Sequence, residues 1–168
     1  PGRVLRVRSV HGTTVLEAGQ GAHGSWGDAG AVVTSTAGLT VGVKTADCLP
    51  ILIEDHRTHA VAAVHAGWRG VIGGIVAKTI ARLVESGSRL DDLRVAIGPA
   101  IQACCFEVDG DLPQRFEAAC GAHVLRHMPG KEKLHLDLGA AVRTTLERVG
   151  VPSAHVDVLP QCTRCDER

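Results

Sequence analysis

The chain has no tyrosine, and only two phenylalanines and two tryptophans among its 168 residues. Four aromatic rings, Trp26, Trp68, Phe106 and Phe116, are too few stacking platforms for a protein that holds single-stranded nucleic acid. An excess of either charge is also lacking: lysine plus arginine number 18, and so do aspartate plus glutamate. No field of one sign draws the chain to phosphate backbones or to an anionic membrane. Every apolar run is broken by glycine, histidine or charge well short of the span a bilayer needs, and no basic-then-apolar leader opens the sequence. We expect a soluble, cytoplasmic protein with neither nucleic acid nor membrane as partner. Oligomeric state leaves no mark on the sequence. Six cysteines fall short of the density of small secreted disulfide scaffolds, so reduced thiols are expected.

What the chain does have is histidine. Nine residues against four aromatic rings make metal ligation the first chemistry to test, although His23, His56, His59, His123, His127, His135 and His155 read as solvated or structural. A length of 168 residues suits one ordinary core and is short for two, so residues 1–168 read as one domain. Short β-branched runs bounded by Gly, Pro or Asp predict strands at Val4 to Val10, Ala31 to Thr36, Leu39 to Val43, Ile51 to Ile53, Ala60 to Val64, Leu93 to Ile97 and His155 to Leu159. Ile72, Ile75, Val76, Thr79, Ile80 and Leu83 recur at three and four, which predicts one amphipathic helix ending near Gly87. A second helix is predicted from Leu112 to Cys120 with Pro113 at its start. A third has Asp137 as N-cap and Gly150 as its stop. Gly19 to Gly30 reads as one long loop. The inventory is that of a mixed α/β (α+β) fold with sheets packed together and helices outside.

The informative stretch runs from Thr45 to Gly70. If Ile51 to Glu54 and His59 to His65 pair antiparallel through a loop from Asp55 to Thr58, Glu54 faces His59 and Cys48 faces His65. That would be close enough for both to ligate one metal. Pro50 lacks an amide donor and is expected to break or bulge the strand. After His65, the small residues Ala66 and Gly67 allow a tight turn into the amphipathic helix. Arg69 at its start offers a positive fork for phosphate or another anion. Each feature has a plainer reading: Cys48 as a small buried hydrophobe, His65 as a hydrogen-bonded core residue, Arg69 as a surface ion-pair residue and Trp68 as packing. Cys162 and Cys165 have the gap of a zinc knuckle or a redox pair, but no second pair at suitable spacing completes a set, so free thiols are expected. Adjacent Cys104 and Cys105 are expected to point to opposite sides of a strand, packing or lining a pocket.

Thr45-Ala46-Asp47-Cys48-Leu49-Pro50 followed by Val64-His65-Ala66-Gly67-Trp68-Arg69-Gly70 resembles the signature of the laccase-domain family, also called polyphenol oxidase-like proteins or purine nucleoside phosphorylases. Further matches are Val10-His11-Gly12, Ala96-Ile97-Gly98-Pro99-Ala100-Ile101 with Cys104-Cys105-Phe106-Glu107-Val108, Leu136-Asp137-Leu138 and Cys162-Thr163. They cover nearly the whole chain in order. The resemblance implies a four-layer α/β/β/α sandwich and a catalytic zinc on His11, Cys48 and His65. It also implies action on purine nucleosides: phosphorolysis of adenosine, inosine, guanosine and methylthioadenosine, and deamination of adenosine. Three protein ligands leave a fourth tetrahedral position open, as a catalytic zinc requires. Asp47 is then a candidate to move a proton, or to accept a hydrogen bond beside the ligand, and Arg69 a candidate for phosphate. Trp68, Gly98 and Pro99 would border the substrate.

The sequence departs from the family pattern at several points. Family members run longer at both ends, with an arginine in the N-terminal segment and a C-terminal Phe-Ser-Tyr-Arg-Arg type motif, so this chain reads as a form shortened at both ends. Ser9 stands where the family often has glutamine. Gly30 stands at an acidic position, with Asp28 two residues before it. Two other chemistries compete: a copper-dependent polyphenol oxidase, disfavoured by the small ligand set, and a metal-free Cys48–His65 hydrolase. A binding module with a structural metal is the non-enzyme alternative.

Overall fold

The computed structural model describes residues 4–22 and 24–166; His23 lies outside the described residues. The first half of the chain is mostly strand. It forms β1 (Val4–Ser9), β2 (Val15–Glu17), β3 (Ser25–Ala29), β4 (Ala31–Thr34), β5 (Thr40–Gly42), β6 (Leu49–Asp55) and β7 (Val61–Ala66), and then two helices, α1 (Trp68–Ile72) and α2 (Ile75–Glu85). The second half alternates: β8 (Leu93–Ile97), β9 (Glu107–Val108), α3 (Leu112–Cys120), β10 (Leu125–His127), β11 (Leu134–Leu136), α4 (Leu138–Val149) and β12 (Val156–Val158).

A six-stranded mixed sheet in the order β12-β8-β6-β7-β4-β2 carries the structure. Its central strands show why the apolar alternation sorts the chain into layers. On β6, Leu49, Ile51 and Ile53 are buried in a core that also takes Ile75, Val76, Ile80 and Leu83 of α2, Phe116 of α3 and Val142 and Leu146 of α4. The opposite face is narrower. Val32 and Ala63 join Leu5, Val7, Ala18 and Ala29 in a smaller cluster beneath the three-stranded sheet β3-β1-β5. The described residues thus supply a helical layer and two sheet layers, the mixed α/β architecture read from the sequence. A third sheet, β10-β11-β9, lies beside α3. Among the described residues no helix is long and apolar enough to cross a membrane.

The predicted single helix after Arg69 is in fact two. Gly74 adopts φ 83°, a left-handed turn that side-chain-bearing residues avoid, and it separates Ile72 from the stripe that begins at Ile75. The supposed loop from Gly19 to Gly30 holds β3, which pairs in parallel with β1 through Arg6–Ser25, Arg8–Asp28 and Ser9–Ala29. Its sequence Ser-Trp-Gly-Asp-Ala has no alternation to read, because an edge strand owes its conformation to its neighbour. The very short β2, β9, β10 and β11 were likewise not predicted.

The β6–β7 register also differs from the expected one. Pro50 lies opposite His65 and Glu54 opposite Val61, in place of Cys48 and His59. The turn has the expected four residues but lies one residue further along the chain. The Asp55 amide donates to the Ala60 carbonyl at 2.8 Å, leaving four residues between them. The Asp55 carboxylate accepts the amides of Arg57 at 2.8 Å and Thr58 at 2.9 Å, and His59 closes the loop at φ 60°. Because the slip is two residues, every side chain keeps its face. The expected break at Pro50 is absent. Its carbonyl accepts the Gly98 amide at 2.9 Å, one residue past the last β6–β8 pair at Ile51–Ile97, so the missing amide falls at the end of that ladder and not within it.

Burial alone would push the Asp55 carboxyl up. The amides of Thr58 and Arg57 outweigh it and hold the carboxyl well below the usual range. A carboxylate with a depressed folded pKa contributes stability above its unfolded pKa of about 3.9, and that contribution fades as pH falls below this value. Asp55→Ala is therefore expected to cost roughly 2–4 kcal/mol at neutral pH. In urea titrations the gap between parent and variant should narrow on acidification below about pH 4.

Candidate metal centre

His11 arrives on a loop rather than an element. Val10 to Thr14 leaves the small sheet and threads between β4 and the α1–α2 corner. There the Gly30 amide donates to the Thr14 carbonyl at 2.9 Å and the Lys78 ammonium donates to the Thr13 hydroxyl at 2.9 Å. The seat is built of glycine. A methyl on Gly30 would stand 2.5 Å from the Gly12 carbonyl, and one on Gly73 would run into the Thr13 side chain. The residue read from the sequence as a departure, Gly30, is what lets the histidine loop approach.

Cys48 immediately precedes β6 and His65 is the fifth residue of β7. The observed register sets them diagonally across one face, the face that looks toward β1. His11, Cys48 and His65 come together, with one donor atom from each lying within 4.8 Å of the others. The two imidazole centroids are 5.2 Å apart at an interplanar angle of 52°. Burial lowers the pKa of His65, and the nearness of His11 lowers it further. Burial pushes the Cys48 thiol up, and the Asp47 charge adds to it.

Two observations test whether a metal suits this set. His65 is 5 % exposed and its Nδ1 has no hydrogen-bond partner, a cost of about 1–3 kcal/mol for a buried polar atom unless something coordinates it. Gly67 supplies the second. A Cβ built there would stand 3.1 Å from the Cys48 sulfur, 3.7 Å from His11 Nδ1 and 3.8 Å from the His65 ring. The space in front of all three donors is kept open by the missing side chain. Two imidazoles and a thiol are a donor set that zinc accepts, and copper as well.

The centre borders a cavity of about 700 Å³ whose lining includes Val4, Arg6, Arg8, Ser9, His11, Lys44, Thr45, Cys48 and His65. Arg6 and Arg8 alternate on the open face of β1. Arg8 forks onto Asp28, whereas Arg6 and Lys44 have no ion-pair partner among the described residues. These cations were not singled out from the sequence. The period-two spacing in Arg6-Val7-Arg8 places the two arginines on one face of β1, and nothing in the sequence marks Lys44.

The other predicted site residues are placed as follows. Asp47 is exposed, takes the unusual φ of 70° just before Cys48, and accepts the Thr163 hydroxyl at 2.6 Å. Its carbonyl accepts the Ile101 amide at 2.9 Å. Arg69 is exposed, with its guanidinium carbon 4.1 Å from the Trp68 ring centroid; that of Arg115 is 5.5 Å away. Trp68 itself is half-buried against the main core. Gly98 backs onto Pro50, whose ring leaves only 2.8 Å for a Cβ, and Pro99 is exposed.

Cys162 and Cys165 are free thiols, as expected, but the fold brings to them a second pair that the sequence spacing did not offer. The sulfurs of Cys104, Cys105, Cys162 and Cys165 all lie within 4.8 Å of one another. Cys104 and Cys105 sit in a turn, not a strand, so adjacent side chains can converge. Burial pushes the Cys162 thiol up, but the amides of Gln102, Arg164 and Cys165 outweigh it and bring it to about 6.

The family model described as multi-copper polyphenol oxidoreductase laccase matches residues 1–168. Among curated relatives, the adenosine deaminase RL5 from an unknown prokaryotic organism is 38 % identical over 139 residues, which are 81 % of this chain and 53 % of that protein. The purine nucleoside phosphorylase of Deinococcus radiodurans is 38 % identical over 147 residues, 87 % of this chain and 56 % of that one. The chain thus spans about half the length of these relatives. Among solved structures, YlmD from Geobacillus stearothermophilus superposes with a TM-score of 0.89 at 29 % identity, covering 98 % of this chain and 65 % of that one. Neisseria meningitidis protein NMB0706 gives 0.84 at 36 % identity, covering 96 % and 65 %. With the family's pattern running from the first residue to the last and the same fold in solved relatives, the chain belongs to the multi-copper polyphenol oxidoreductase laccase family.

Proposed function

We propose that the chain carries a zinc centre on His11, Cys48 and His65 that acts on purine nucleosides. The reactions are phosphorolysis of adenosine, inosine, guanosine and methylthioadenosine, and deamination of adenosine. The observation that carries the reading is the convergence of three donor atoms on a space held open by Gly67, at the edge of a cavity large enough for a nucleoside. The names of the curated relatives, purine nucleoside phosphorylase and adenosine deaminase, support the substrate class. A zinc ion bound there would supply Lewis acidity, which both reactions can use.

The rest falls to the protein. Arg6 and Lys44, unpaired on the cavity wall, take the phosphate that phosphorolysis consumes. Arg69, which the sequence also offers for phosphate, is exposed with its guanidinium over the Trp68 ring. Asp47, with one carboxylate oxygen accepting from Thr163, acts as a positioning residue: the bond fixes the backbone that presents Cys48. Its second oxygen remains to accept a proton from substrate. Gly98 and Pro99 shape the same end of β6 and are proposed to border the nucleoside.

Purified without added metal, the protein should carry zinc at this centre, and His11→Ala should remove it. Copper in its place would move the reading to polyphenol oxidation, and no metal at all would move it to the Cys48–His65 hydrolase. With phosphate, adenosine should yield adenine; without it, inosine. Neither product from a chain whose His11 variant keeps all its metal would refute the proposal. Arg6→Ala should raise the KM for phosphate about tenfold or more with less effect on deamination, as expected for loss of a charge-assisted contact of roughly 1.5–3 kcal/mol. Gly67→Ala, whose φ of −75° any residue adopts, should leave thermal stability near that of the parent while weakening metal affinity, because the new methyl group occupies the space before the donors.

A further inference from the structure

The four-cysteine cluster lies outside the machinery described so far. Gln102 to Cys105 forms a tight turn after β8, with the amides of Cys105 and Phe106 both donating to the Gln102 carbonyl at 2.9 Å. Cys162 to Cys165 forms a second turn. The two segments are held together before any ion is considered. The Ala100 amide donates to the Gln161 carbonyl at 3.3 Å, the Thr163 amide donates to the Ala100 carbonyl at 3.0 Å, and Ala100 and Cys162 form a parallel bridge. His135, buried in β11, donates from Nδ1 to the Ala103 carbonyl at 2.6 Å and fixes the first turn from behind.

We propose that Cys104, Cys105, Cys162 and Cys165 bind a single zinc ion as a four-thiolate site that ties the C-terminal segment to the turn after β8. Tetrahedral sulfurs at a Zn–S bond of about 2.3 Å stand about 3.8 Å apart. Here the four sulfurs fall within 4.8 Å of one another, and those of Cys104 and Cys165 are 3.5 Å apart. They are too close together to enclose a multi-iron cluster and suit one ion. The Gln102 amide points at the Cys162 sulfur from 3.5 Å, the kind of N–H···S contact that favours thiolate. On binding, each thiol gives its proton to solvent as its sulfur joins the ion. The cysteines are not oxidised. Cys104 and Cys165 are exposed, so the ion has a direct route in. The consequence reaches the first centre: Thr163, between two of these ligands, holds the Asp47 carboxylate beside Cys48.

The test is zinc content of the full chain purified in reductant. Cys162→Ser/Cys165→Ser should carry one zinc per chain fewer than the parent, while His11→Ala keeps that ion. Because the double variant could fold poorly, the parent is also alkylated with a mass-tagged reagent, with and without a strong zinc chelator. Cys104, Cys105, Cys162 and Cys165 should become reactive together when the chelator is added, whereas the buried Cys120 in α3 should not respond. Unchanged zinc in a folded double variant, alkylation indifferent to the chelator, or a Cys104–Cys165 disulfide in place of metal would each overturn the proposal.

Discussion

The antiparallel ladder between β6 and β7 is the constraint on which the rest depends. It lies at the middle of the six-stranded sheet, its inward side chains anchor the helical layer, and its two strands deliver Cys48 and His65 to the same end and the same face. Its register is set at the opposite end, by the Asp55 carboxylate capping the turn. A slip of one residue there would send either His65 into the helical core or Ile51 and Ile53 to the other side; a slip of two leaves the faces intact. The candidate chemistry is therefore governed by hydrogen bonds at the far end of the strands.

Around this ladder, segments distant in sequence are brought in by close backbone approach rather than by regular structure. The His11 loop is admitted by Gly30 and Gly73, and the space before the donors is kept by Gly67. Asp47 is held from the other side by Thr163 and Ile101, near the C-terminal cysteine pair. Both candidate metal groups thus use the same device. Short loops carry every candidate ligand except His65 on β7, and a strand or a neighbouring turn supplies the rigidity that loops lack.

How much of this was legible depends on whether a signal is local. The stripe from Ile75 to Leu83 gave α2, Pro113 marked α3, and Asp137, which accepts the Ala140 amide at 2.8 Å, marked the start of α4 with Gly150 at its end. Strands with alternating apolar residues, such as β6 and β8, were readable for the same reason. β3 was not, because its conformation is imposed by β1, and neither was the break at Gly74, because a glycine pair inside an apolar stripe does not declare its φ. The paired motifs at Cys48 and His65 and the loop at His11 were recognisable as a family pattern. Arg6 on β1 and Lys44 just beyond β5 were not, because an exposed cation looks the same whether it faces a cavity or bulk solvent.

By itself the sequence determined the main helices and longer strands, the helix caps and stops, and the residue types able to bind a metal, since these follow from periodicity and side-chain chemistry within a dozen residues. Tertiary structure decided which of those residues meet. Only the turn at Asp55 fixed how Cys48 stands to His65, only the glycine seat brought His11 to them, and only the bridge at Ala100 gathered Cys104 and Cys105 with Cys162 and Cys165. The reason is the same in each case. Contacts between segments far apart in the chain are set by backbone hydrogen bonds and by the space left between packed elements, and neither is written in the spacing of side chains.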